Sequence, residues 1–131
     1  MTSILSIDAL SKTFGDGTLR NDVLHGIDLD LRPGQLTLLM GPSGSGKSTL
    51  LAIVSGLLRP DSGNVRALDQ DLWNLADAER ERFRLDHCGF VFQGFNLFGA
   101  LTALEQVQMV LEYSGVATSA AIERSQAALE E

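Results

Sequence analysis

Nine consecutive residues, Gly41-Pro42-Ser43-Gly44-Ser45-Gly46-Lys47-Ser48-Thr49, force a tight loop at the point where a strand hands over to a helix. Gly41, Gly44 and Gly46 strip side chains from this loop, so several backbone N–H groups can come close to one point. A helix starting directly behind it adds its own unpaired N–H groups and the positive end of its dipole. Such a loop suits a compact polyanion. Lys47 brings an ammonium that reaches the β- and γ-phosphates of a nucleoside triphosphate, and the Ser48 hydroxyl is placed to ligate a bridging Mg²⁺. The flanks agree: Leu36-Thr37-Leu38-Leu39-Met40 predicts a short buried strand, and Leu50, Ile53, Val54 and Leu57 recur at helical spacing. An ordinary glycine-rich turn is the plain alternative, and the strand and helix on either side weigh against it.

The remaining composition narrows the class. With 131 residues, 44% of them hydrophobic, the sequence predicts one core and one domain, and no linker or repeat interrupts it. No basic segment leads into an apolar stretch near the N-terminus, and the longest strictly apolar run, Leu50 to Val54, is too short to span a bilayer. Neither secretion nor membrane spanning by this segment is expected. Cys88 is the one cysteine, which excludes an internal disulfide and predicts a small buried apolar residue. A net charge of −7 argues against nucleic acid as a partner, and it means that any nucleotide is held by the local site and not by the overall field.

Along the chain, Ile4 to Leu10 and Val23 to Leu31 predict two strands, the second with Ile27, Leu29 and Leu31 alternating with Asp28 and Asp30. After the loop and its helix, Arg59-Pro60-Asp61-Ser62-Gly63 makes a stop, and Asn64 to Leu68 predicts a short strand. A helix from about Asp77 to Leu85 follows, with Asp77 as its cap and Glu79, Arg80, Glu81, Arg82 and Arg84 on a solvated face. Gly89-Phe90-Val91-Phe92 predicts a compact apolar strand ending at Gln93. Thr102 and Glu105 form a capping box ahead of a helix that Gly115 ends, and Thr118 to Glu131 is helical. Trp73 reads as a packed anchor, and His25 and His87 as surface or structural residues.

Taken in order, Lys12-Thr13-Phe14-Gly15, Val23-Leu24-His25-Gly26-Ile27, Arg32-Pro33-Gly34-Gln35, the phosphate loop, Ser55-Gly56-Leu57-Leu58-Arg59-Pro60-Asp61-Ser62-Gly63 and Gly89-Phe90-Val91-Phe92-Gln93 resemble the first half of an ABC transporter ATP-binding subunit. The stretch from Phe90 to Glu105 is most similar to subunits serving exporters of lipoproteins, macrolides or glycolipids. The resemblance implies an α/β P-loop NTPase fold. It would be a partial ABC-type nucleotide-binding domain over residues 1–131, with an N-terminal antiparallel β subdomain and an incomplete RecA-like core. It implies ATP and Mg²⁺ as cofactors. Gly41, Pro42, Ser43, Gly44, Ser45, Gly46, Lys47, Ser48 and Thr49 would hold the phosphates, and Phe14 would stack on adenine. Ser48 and Gln93 would attend the metal, and Lys47 and Gln93 would be the catalytic residues present. The partners implied are a transmembrane permease subunit, met by Phe95 to Phe98, and a second ATP-binding subunit in a nucleotide-sandwich dimer. For the apolar Phe95, Leu97 and Phe98, packing into the local core is an equal alternative. The location implied is the cytoplasmic side of the membrane, peripheral through the permease.

Three family elements do not occur in the sequence: an LSGGQ-type signature, an apolar strand ending in Asp-Glu (the Walker B element), and the switch histidine. This polypeptide by itself is therefore expected to bind MgATP weakly or not at all and not to turn it over. It is also expected to leave the edge of the phosphate-loop strand exposed and to melt broadly. A small P-loop kinase is the second reading, but no arginine-rich lid follows the loop, and Phe14 and Gln93 would go unexplained. A catalytically silent nucleotide-binding regulatory subunit is the third.

Overall fold

Alternation along Asn21–Leu31 and a matching pattern along Leu5–Phe14 produce two long antiparallel strands, β2 and β1, paired from Leu5↔Leu31 to Phe14↔Asn21. The turn between them contains a short 3₁₀ segment, Gly17–Leu19. A computed structural model describes residues 3–94 and 96–130, and these fall into two compact units divided after Arg84. In the first unit, β3 (Ser62–Ala67) pairs with the other edge of β1, and β4 (Gln70–Asp71) pairs with β3, giving an antiparallel sheet of order β2-β1-β3-β4. The expected antiparallel N-terminal subdomain is present. Helix α1 (Lys47–Val54) lies in this unit, and α2 (Asp77–His87) begins in it, its last three residues being assigned to the second.

Ile7 and Leu10 of β1 are both fully buried, although strict alternation would send them to opposite faces. A bulge at Ala9 resolves this. Ala9 takes φ +47° and both ladders shift register between Ile7 and Leu10 or its neighbour, so the extra residue lets both side chains enter the core. The Ala9 N–H donates to the Asp28 carboxylate at 2.7 Å, which stabilises the unusual backbone. Gly63 fits against the bulge, where any Cβ would stand 2.6 Å from the Ala9 carbonyl oxygen and from the Leu10 Cα. Leu24, Leu50, Ile53, Val65, Ala67, Leu72, Trp73 and Phe83 are the other buried apolar residues described in this unit.

Arg80 and Arg84 depart from the expected solvated helix face. The Arg80 guanidinium lies 4.9 Å from the Trp73 ring centroid, and Arg59 lies 5.8 Å from it. Arg84 donates to the Gly56 carbonyl at 3.0 Å, a cation at the carbonyl end of α1 where the dipole favours it. Trp73 is buried, as an anchor should be. Asp77 is the first residue of α2 and does not cap it. Its carboxylate pairs with Arg80, while Glu79 reaches back to the Ala76 N–H at 2.9 Å.

Two predicted strands are absent. Residues 36–40 join no ladder among the described residues; Leu36 is 99% exposed, and Leu38 and Met40 are also open to solvent. Residues 89–93 likewise form no strand: Val91 is fully exposed, and the Phe90 and Phe92 rings stack on each other at 5.5 Å. An apolar run becomes a strand only where another segment offers its N–H and C=O groups, and neither run finds one among the described residues.

The second unit contains α3 (Ala103–Tyr113) packed on α4 (Thr118–Glu130). Thr102 and Glu105 form the expected capping box, and this pairing holds the Glu105 carboxyl below its ordinary range through the Thr102 N–H and hydroxyl. Gly115 follows the helix end with φ +89°, as its placement predicts. Gln106 of α3 ties down the preceding loop, its side-chain oxygen accepting from the Phe98 N–H at 2.9 Å. Among the described residues no helix is long and apolar enough to cross a membrane.

Candidate functional site

Gly46 decides how the phosphate loop sits. It occupies the N-cap of α1 in a left-handed conformation, φ +85°, and a Cβ there would meet Leu24 Cδ2 at 2.9 Å and Val23 Cγ1 at 3.0 Å. The loop is therefore seated directly on β2, at a contact only glycine allows. Leu50 N–H donates to the Gly46 carbonyl at 2.8 Å and starts the helical ladder. The first four N–H groups of a helix have no intrahelical acceptor, and Gly46 has no side chain to cap them. They remain available at the mouth of the loop.

Lys47 closes that mouth from the other side. Its ammonium donates to the Gly41 carbonyl at 2.8 Å, the Pro42 carbonyl at 2.7 Å and the Ser45 hydroxyl at 3.1 Å. Ser45 N–H donates to the Pro42 carbonyl, which folds the loop into a turn. Gly44, with φ +79°, has no atom within 4 Å of the position a Cβ would take, so the crest of the loop faces open space. Ser48 is exposed at the second position of α1, and Thr49 is half-buried behind it. Gly41 to Thr49 thus come together as one surface that combines backbone donors with a cation.

Phe14 ends β1 opposite Asn21, three residues from the Leu24 that packs on Gly46. The ring is 42% exposed, and the Lys12 ammonium stands 5.6 Å from its centroid. Gly15 then turns the chain at φ +77° so closely that a Cβ would collide with the Leu19 carbonyl. Asp61 reaches the end of the same strand, accepting from Lys12 Nζ and from the Thr13 N–H, each at 2.7 Å. Sequence reasoning places Asp61 only in a turn, and the one local signal it offers is a carboxylate in the stop after α1. Gln93 belongs to the second unit and is exposed, as are Leu97 and Phe98, whereas Phe95 lies outside the described residues. His25 and His87 are exposed, and no cluster of His, Cys, Asp or Glu among the described residues is arranged to hold a metal ion.

Residues 24–131 match the ABC transporter family. This chain belongs to that family. Its ABC transporter relatives include the lipoprotein-releasing system ATP-binding protein LolD of Geobacter metallireducens, 46% identical over 119 residues, which cover 91% of this chain and 53% of the relative. The macrolide export ATP-binding/permease protein MacB of an Azoarcus species is 40% identical over 115 residues, covering 88% of this chain and 18% of the relative. An ABC transporter ATP-binding protein of Mycobacterium bovis is 42% identical over 122 residues, 93% of this chain and 37% of the relative. The chain therefore spans about half or less of the length of these curated relatives. Among solved ABC structures, the ATP-binding cassette MJ0796 in a post-hydrolysis dimer bound to ADP and Pi superposes with a TM-score of 0.86 at 34% identity, covering 96% of this chain and 56% of that one. The P-loop, α/β class of the fold and its ABC type are thereby shown, and the kin are of the lipoprotein and macrolide exporter type.

Proposed function

We propose that this chain is the nucleotide-holding part of an ABC transporter ATP-binding subunit, carrying MgATP on the Gly41–Thr49 loop with adenine against Phe14. One observation carries the reading: the Lys47 ammonium and the open amide end of α1 converge on a loop whose crest at Gly44 is clear of side chains. These groups fit a triphosphate because they are all donors, arranged around one point, on a protein whose net charge of −7 offers no other attraction for it. Bound MgATP would supply the phosphoanhydride whose cleavage the family couples to transport. Lys47 and the loop amides would orient the phosphates, and the exposed Ser48 hydroxyl suits Mg²⁺; the family resemblance alone assigns Gln93 to the metal shell. Without a signature sequence, an Asp-Glu strand or a switch histidine, the 131 residues assayed alone should hold nucleotide weakly and release no phosphate at steady state.

The permease partner fits the exposed apolar residues Phe90, Phe92, Leu97 and Phe98 around Gln93, and a second ATP-binding subunit fits the dimeric state of the MJ0796 cassette. A cytoplasmic position at the membrane follows from such a permease. The likeness to LolD and MacB favours export. The run at residues 36–40, which joins no ladder among the described residues, supports the same assignment, since it has the composition of a sheet interior.

Phe14→Ala tests the base platform. The variant is expected to lose about 5- to 150-fold in MgATP affinity, the range for one base–aromatic stack. Its affinity for inorganic tripolyphosphate should stay unchanged. Equal losses for both ligands, read by ³¹P NMR titration, would remove Phe14 from the site.

A further inference from the structure

β1 outruns β3: their last pair is Ser11↔Ser62, so among the described residues Lys12, Thr13 and Phe14 have a strand neighbour on the β2 side only. Asp61 takes the place of the missing neighbour. Its N–H donates to the Ser11 carbonyl at 3.0 Å, one carboxylate oxygen accepts from the Lys12 ammonium at 2.7 Å, and the other accepts from the Thr13 N–H at 2.7 Å. Three consecutive residues leading into Phe14 are thus held by one side chain and its backbone. Lys12 and Phe14, two apart on a strand, share a face, and the Lys12 side chain is only 14% exposed where it meets the ring. Asp61 itself belongs to the turn that leaves α1, the helix opened by the phosphate loop.

We propose that Asp61 is a positioning residue for nucleotide binding, setting the Phe14 ring at a fixed place relative to the phosphate loop through Lys12 and the Thr13 backbone. The proposal rests on the reading of Phe14 as the base platform. An ammonium against one side of the ring limits its rotation and is attracted to the ring quadrupole, and Asp61 keeps that ammonium from drifting into solvent. The Lys12 hydrogen bond first, and the Thr13 N–H second, hold the Asp61 carboxyl below its ordinary range, so it is charged at neutral pH. A turn that merely reversed the chain would not need a carboxylate aimed at both groups.

The test compares MgATP with magnesium tripolyphosphate, by ³¹P NMR titration of the 131-residue chain, which reads weak complexes directly. Asp61→Asn and Lys12→Met should each weaken MgATP by about two- to fivefold, the span of one exposed cation–π contact, and leave tripolyphosphate unchanged. The double variant should lose no more than either single one, because both break the same link. Lys12→Arg, which keeps a cation at the ring and a donor for Asp61, should restore most of the MgATP affinity. If Phe14→Ala lowers the MgATP to tripolyphosphate ratio while Asp61→Asn does not, the positioning role is overturned and the base platform stands. If Phe14→Ala leaves the ratio unchanged, or if the unaltered chain binds no MgATP, both fall. Equal loss of the two ligands in Asp61→Asn would make Asp61 a residue of the fold alone and would also overturn the proposal.

Discussion

Replacing Lys47 by alanine should lower the affinity for MgATP and for tripolyphosphate alike, by about 10- to 150-fold, the equivalent of one hydrogen bond to a charged group. The ammonium already stands among the Gly41 and Pro42 carbonyls and the Ser45 hydroxyl, so it is poised at the loop mouth without a search through rotamers. A polyanion arriving there exchanges these neutral acceptors for charged oxygens. Base contacts play no part in this, which is why both ligands should suffer equally. The fold should barely change, because the carbonyls that lose the ammonium are exposed and water replaces it. Unaltered tripolyphosphate binding by Lys47→Ala would mean that the phosphates are held elsewhere.

Gly63→Ala is expected to give the largest loss of stability. The new methyl would stand 2.6 Å from both the Ala9 carbonyl oxygen and the Leu10 Cα, atoms of the central strand that cannot turn aside as a flexible side chain could. Its φ of +90° adds a backbone cost. Overpacking of about 1–3 kcal/mol and a left-handed penalty of roughly 1–2 kcal/mol together reach a large share of the stability of a small domain. Amides at the centre of β1 and β3, such as Ile7 and Val65, should exchange with solvent roughly thirtyfold faster or more. Gly26→Ala is the matching control: its φ is +56°, but no atom lies within 4 Å of the added Cβ, so only the backbone cost remains. Equal effects of the two substitutions would show that the close fit of Gly63 against the Ala9 bulge contributes nothing.

What could be read in advance was what neighbouring residues decide. The phosphate loop is nine contiguous residues whose glycines, lysine and hydroxyl specify their own geometry, and the Thr102–Glu105 cap closes within one helical turn. The alternation of β2 announced its pairing with β1. Contacts distant in sequence were not legible. The run Leu36 to Met40 has the composition of a buried strand, yet burial belongs to whatever lies beside it, and Leu36 is open to solvent. Arg80 and Arg84 look identical in sequence to the solvated charges around them, and only the position of Trp73 and of the Gly56 carbonyl turns them inward. Asp61 and Lys12 are 49 residues apart, and nothing local to either one announces the other. The Ala9 bulge was hidden for a similar reason, since it follows from fitting Ile7 and Leu10 into one core and from the carboxylate of Asp28 across the sheet.

The most direct test is to follow the backbone amides of Gly44, Gly46, Lys47, Ser48 and Thr49 by ¹H–¹⁵N NMR while MgATP is added to the millimolar range. If the loop grips the triphosphate through its main chain, these signals move together along one saturation curve, and those of Ile7 and Val65 in the sheet stay in place. Loop amides that do not move while nucleotide accumulates, or shifts confined to other parts of the chain, would contradict the account.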